Sequence, residues 1–290
     1  MKKLFLLAFA AAFTACSDDG GTPVNENEMT LHKTEKFSPS LAAYTSGTTG
    51  SLKRVQYFEG NLVVADSTFD AQGNLFGMVE HTYTENTYIR HYTGSNQAER
   101  ATKFIFDSEG RITHALDILQ FPTAQNVAPT FVYNADQSIS EQYVDVEAGT
   151  SNLFQTFYTN SDGFITNSTY SYTGATTSYS YNGNNVSAYT NSDGANGPET
   201  INYTYYSTPV PANMQRSAIE INNAYFMYEA NPSDMTNSLV YYGNAYLQSY
   251  QGYLTFEKDF NAQGYITYDK VIGTMYQLVH DSETFYYYNE

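Results

Sequence analysis

Cysteine is nearly absent from this 290-residue chain: Cys16 stands alone, so no disulfide framework can hold the fold. A chain of this length can bury a sufficient core without one. Tryptophan is missing altogether, which removes the side chain best suited to stack on sugars and cations. Basic residues are scarce, at 13 Lys and Arg against 30 Asp and Glu, giving a formal net charge of −17. Phosphate contact needs a basic face, so nucleic acid is excluded as a partner. Anionic lipid is likewise a poor electrostatic partner. Charged residues make up only 15% of the chain, too few for charge-driven disorder. Long apolar runs are missing too. The stretch Leu4–Phe13 is the longest, and a spanning helix needs about 20 such residues. Tyrosine and phenylalanine are abundant instead, at 29 and 18. Aromatics favour strands, and tyrosine suits a surface with one wet side.

The N-terminus reads as an export signal. Met1-Lys2-Lys3 is a short basic region, Leu4–Phe13 the apolar segment, and Phe13-Thr14-Ala15-Cys16 a small-residue stretch ending in cysteine. The last four residues resemble the lipobox of bacterial lipoproteins, with Phe13 where that family prefers Leu. The resemblance implies cleavage after residue 15 and acylation of Cys16, the expected lipidation site. Lipidation also accounts for the otherwise unpaired thiol. Several acyl chains make a lasting anchor where one is marginal. Ser17-Asp18-Asp19-Gly20-Gly21 resembles the acidic surface-export tag of Bacteroidota lipoproteins. The expected organisation is a signal peptide over 1–15, a flexible acidic tether over 16–35 and one all-β repeat domain over 36–290. The expected location is the outer membrane, lipid-anchored and facing the cell surface.

One pattern recurs through the domain: an aromatic, Asp or Asn, two variable residues, Gly, one variable residue and an aliphatic. Phe69–Leu75, Phe106–Ile112 and Phe260–Ile266 match it fully. Tyr133–Ile139 lacks the Gly, Thr159–Ile165 lacks the aromatic, and Tyr181–Val186 is one residue short. The pattern predicts a hairpin. Asp or Asn caps the turn through backbone amides two residues on, and Gly takes the left-handed conformation that closes the loop, often with a bulge. Flanking segments alternate as strands do: Tyr170 and Tyr172, Tyr179 and Tyr181, Tyr203 and Tyr205. The expected fold is an antiparallel meander of repeated hairpins forming a curled sheet or open barrel-like sandwich. Ser217–Ile221 fits a short helix and a strand equally well.

These copies resemble the tyrosine–aspartate repeats of large bacterial surface and toxin-shell proteins. More closely, the chain resembles a Bacteroidota lipoprotein family with a curled, porin-like β-meander and no assigned function. That resemblance rests on the turn copies and on Tyr241–Asn244 through Phe260–Ile266, and it brings no catalytic residues. A membrane-spanning barrel is the rival architecture. It is disfavoured because the alternate positions are Thr, Ser, Asn and Tyr rather than an apolar lipid-facing row.

Several motifs suggest chemistry and lack its context. Tyr44–Lys53, reading YTSGTTGSLK, resembles the phosphate loop of adenylate-forming enzymes but lacks their flanking α/β region, and reads as a Gly/Ser/Thr loop. Asn160–Gly163 and Asn191–Gly194 look like half of a calcium loop, with Tyr158 and Tyr189 where an acidic ligand belongs, so turns explain them better. His32, His81, His91, His114 and His280 form no close metal pair. No cofactor or metal is implied and no catalytic set is nominated. The expected function is a binding or contact scaffold for an extracellular ligand, such as a glycan held on tyrosine faces. A structural or adhesion component working through protein contacts is the second reading, and a two-carboxylate hydrolase the third.

Overall fold

The computed structural model describes residues 29–59, 62–94, 99–118, 128–145, 149–192, 198–229, 245–250, 253–275 and 278–289. The signal peptide, Cys16 and most of the expected tether lie outside them. Eighteen strands are present among the described residues. They are β1 (Thr30–Ser38), β2 (Leu52–Glu59), β3 (Leu62–Asp70), β4 (Leu75–Tyr83), β5 (Thr87–Gly94) and β6 (Arg100–Phe106). Next come β7 (Ile112–Asp117), β8 (Ala128–Tyr133), β9 (Ser138–Asp145), β10 (Thr150–Thr159), β11 (Ile165–Tyr170) and β12 (Thr176–Asn182). Last are β13 (Asn185–Ser192), β14 (Glu199–Pro209), β15 (Ala245–Tyr250), β16 (Leu254–Phe260), β17 (Ile266–Met275) and β18 (Leu278–Asn289). A short helix α1 (Leu41–Thr45) follows β1, and α2 (Ala218–Glu229) lies between β14 and β15.

The turn chemistry explains the meander. At the β6–β7 turn the Asp107 amide donates to Arg111 O (3.0 Å) and the Gly110 amide to Asp107 O (3.1 Å). Asp107 Oδ1 accepts from the Glu109 and Arg111 amides at 2.9 and 3.0 Å. The same set recurs at Asp70, Asn160 and Asn261. Gly110 and Gly163 stand at φ 76 and 84, a region closed to most side chains. In the copy without glycine, Gln137 itself takes φ 68. The register shifts beside each turn, at Phe69/Leu75, Phe106/Ile112, Thr159/Ile165 and Phe260/Ile266. That is the bulge expected of this turn.

Every strand pairs antiparallel with its chain neighbours, and β18 pairs with β1 from Thr30↔Asn289 to Phe37↔Glu283. The sheet is therefore a closed barrel without free edges, where the sequence predicted a curled or open one. Its first strand begins at Thr30, so the residues from 30 to 35, expected as tether, are wall. The run Phe285-Tyr286-Tyr287-Tyr288 sits in the closing strand.

Directly paired residues share a face, so one buried row runs round the inside. Phe104, Ile112, Phe131, Ile139, Phe157 and Ile165 cluster there with Phe226 of α2. Each such side chain withdrawn from water contributes roughly 1.5–3 kcal/mol. Phe226 stacks on Phe131 with ring centroids 4.3 Å apart. The stretch 217–221 is helical because Ser217 and Glu220 form a capping box: the Glu220 amide donates to Ser217 Oγ, and Glu220 Oε2 accepts from the Ser217 amide. Asn222 Nδ2 donates to Gly163 O (2.8 Å) and Asn223 Nδ2 to Gly110 O (2.7 Å). Asn223 Oδ1 accepts from the Ile112 amide (2.9 Å). The helix thus spans the mouth at the rim that carries these turns.

The outer row differs. On β12, Thr176, Ser178, Ser180 and Asn182 are exposed while Thr177, Tyr179 and Tyr181 turn inward. Asn202 and Thr204 on β14, and Thr255, Glu257 and Asp259 on β16, continue the polar wall. Hydroxyls bridge across it, Thr190 to Thr200 (2.9 Å) and Thr204 to Ser249 (2.7 Å).

Candidate functional site

The outer wall changes character where the chain's ends meet, on β17, β18, β1 and β2. Cross-strand pairs place Tyr287, Lys33 and Tyr57 side by side on one outward row. Tyr268, Phe285, Glu35 and Val55 form the next. Tyr57 and Tyr287 are 42% and 40% exposed, Tyr57 with the His32 ring beside it and Tyr287 with Lys33 over one face. Lys33 Nζ lies 4.2 Å from the Tyr287 ring centroid, a cation–π contact that fixes the ring. Glu35 organises the polar part. It bonds Lys33 (3.3 Å) and Lys53 (2.9 Å) and accepts from Tyr287 Oη (3.1 Å). Burial pushes the Glu35 carboxyl up, but these partners, Lys53 first, outweigh it and hold the group below the ordinary range. Glu283 accepts from the Leu41 amide (2.8 Å) and from Tyr268 Oη (3.1 Å), tying α1 to the same patch. Phe37 lies under Tyr44 of α1, at 5.5 Å between rings.

The result is two partly exposed tyrosines flanking a lysine, beside hydrogen-bonded carboxylates and lysines. Such a surface can stack on an apolar ring face while its rim accepts and donates hydrogen bonds to hydroxyls. Of the run Phe285-Tyr286-Tyr287-Tyr288, Phe285 and Tyr287 lie on these outward rows. Tyr286 and Tyr288 face the interior. No sequence signal singled out Lys33, Glu35 or Tyr57. The alternation of Lys33, Glu35 and Phe37 against Thr34 and Lys36 is visible only once β1 is known to be a strand.

The other nominated motifs disperse. Within residues 44–53, Gly47 and Gly50 turn the chain after α1, and Lys53 points to Glu35. Asn160–Gly163 is the β10–β11 turn, its Asn160 oxygen used by backbone amides. Asn191–Gly194 falls partly outside the described residues. His32 packs on Tyr57, His81 Nδ1 meets Tyr88 Oη (2.9 Å), His91 meets Glu99 (2.5 Å), and His114 lies beside Thr113. The His280 side chain is not among the described residues. Among those residues no three His, Cys, Asp or Glu side chains gather as metal ligands. Of the buried acids Asp66, Glu141 and Asp269, Asp66 and Asp269 are each neutralised by their own cation, Arg54 and Lys258.

No family model and no curated protein matches the chain. Among solved structures, a porin-like protein from Bacteroides uniformis is similar at 12% identity and a TM-score of 0.40, over 89% of this chain and 98% of its own. The TcdB2–TccC3 structure is similar at 11% identity and a TM-score of 0.26, over 83% of this chain and 13% of its own. Both likenesses are too distant to carry a function.

Proposed function

We propose that the chain is a lipid-anchored protein of the bacterial cell envelope, whose barrel stands in water and binds saccharide on the Tyr287–Lys33–Tyr57 face. The observation that carries the binding part is the in-register row itself, two exposed tyrosines about a lysine. The outer wall supports attachment through Cys16. A lipid-embedded barrel needs an apolar band round its whole circumference. Here the outward residues of β12, β14 and β16 are largely hydroxyls, amides and carboxylates, and the lipobox-like end offers the anchor that such a wall does not.

The binding part is tested by affinity electrophoresis of the solubilised full chain against neutral and acidic polysaccharides. Tyr57→Ala and Tyr287→Ala should each weaken retention by about three- to tenfold, the worth of one ring contact. Tyr172→Ala, an exposed tyrosine on the β11–β12 turn, should leave it unchanged. Equal retention of all three variants, or retention by no polysaccharide, would remove the platform reading.

A further inference from the structure

The inner face of the same strands carries a second, differently built site. Register places Lys258, Asp269, Thr284, Lys36 and Arg54 on five adjacent strands, β16, β17, β18, β1 and β2, as direct neighbours on the inward row. Lys258 is paired with Asp269 at 2.7 Å. Arg54 is held by Asp66 through Nε (2.9 and 3.0 Å) and Nη2, and Gln56 donates to the same carboxylate (3.0 Å). Lys36 is left over. Its cross-strand partners are Arg54, a like charge, and Thr284, which is neutral. None of its described neighbours offers a carboxylate within ion-pair distance. Like charges directly opposite each other destabilise a sheet. Among the described residues, Lys36 therefore faces the interior without an ion-pair partner, with the Asp269 charge acting on it only from a distance. Lys36 is largely buried on this row. The inward tyrosines of β18 continue the wall, and the Tyr288 hydroxyl is buried without a hydrogen-bond partner.

We infer that the lumen beside β1, β2 and β18 binds a small oxyanion, a carboxylate or phosphate group, with Lys36 as its ion-pair partner and Arg54 as the neighbouring positive charge. An anion at Lys36 supplies the charge that the belt lacks. Asp66 and Asp269, each already committed to its own cation, set the width of the positive sector. Burial and the Arg54 charge also lower the Lys36 pKa to about 8, as expected of an ammonium awaiting a counter-ion. This site is independent of the outer platform, because alternate residues of β1 point to opposite sides.

Thermal unfolding of the full chain would be followed with inorganic phosphate and, separately, with D-glucuronate, each against sodium chloride of equal ionic strength. A hundredfold excess over Kd should raise the wild-type Tm by about 5 °C or more relative to chloride. Phosphate alone acting would assign the phosphate source, and glucuronate alone the carboxylate. Lys36→Met should abolish the response, Lys36→Arg should keep it, and Tyr57→Ala should leave it intact. A wild type indifferent to both probes, or a Lys36→Met variant that responds as wild type does, would overturn the inference. Because the wild-type comparison stands alone, a poorly folding Lys36→Met does not shelter it.

Discussion

At the scale of single residues, the tyrosines show why this composition suits this barrel. At three of the bulged turns a tyrosine on the neighbouring strand reaches a carbonyl beside the bulge. Tyr133 Oη donates to Ile112 O (3.0 Å), Tyr181 to Ile165 O (2.5 Å) and Tyr205 to Val186 O (2.5 Å). Phenylalanine would fill the same space and leave the carbonyl unsatisfied. Tyr181→Phe should therefore cost about 1–2 kcal/mol in urea unfolding, whereas Tyr172→Phe on an exposed turn should cost nothing measurable. Asp107 makes a second residue-scale prediction. Burial raises its carboxyl, but the Arg111 backbone and side-chain bonds, with the Glu109 amide, bring it below the ordinary value. A depressed folded pKa contributes stability above the unfolded carboxylate range and loses it as pH falls through the folded value. Asn holds the same turn position at 160 and 261, so Asp107→Asn should fold. Its stability should then fall less between pH 5 and pH 2 than that of wild type, measured by denaturant titration at each pH.

At the scale of elements, the hairpins were legible and the helix was not. Phe69–Leu75 or Phe260–Ile266 announces its own turn, because Asp or Asn, Gly and the bulge act within seven residues. Barrel closure was hidden, since β1 and β18 meet across nearly the whole chain and nothing local marks their pairing. The tether boundary was misplaced for the same reason: Thr30–Glu35 is polar, and only the partner strand Phe285–Asn289 makes it wall. The outer platform inherits this blindness, being built from both chain ends. The helix α2 did carry a local signal, the Ser217-x-x-Glu220 box, which the alternation of Ala218 to Ile221 masked. Its Asn222 and Asn223 amides replace the strand partners that the rim lacks. Asn223 serves both Gly110 and the Ile112 amide, so Asn223→Leu should leave two buried backbone groups unpaired. The expected cost is about 2–4 kcal/mol, with hydrogen exchange at Ile112 speeding up well before that of Ile266 across the barrel.

For the whole molecule, the two faces of one closed sheet divide the labour. The inside holds the aromatic core, the paired charges of β16 to β3 and the helix across one mouth. The outside is polar over β12, β14 and β16, carries single exposed apolar side chains such as Val132 and Leu153 elsewhere, and turns aromatic where the chain ends meet. No described helix is long and apolar enough to cross a membrane. Membrane attachment is proposed at Cys16 and not at the barrel wall. Detergent-phase partitioning and membrane fractionation of wild type and Cys16→Ala, expressed in a host that processes lipoproteins, test that assignment most directly. Wild type should enter the detergent phase and sediment with membranes, and Cys16→Ala should stay in the aqueous phase as a folded, soluble protein. A Cys16→Ala protein that remains in the membrane fraction and needs detergent to leave it would mean that the wall itself meets lipid, and would contradict the account.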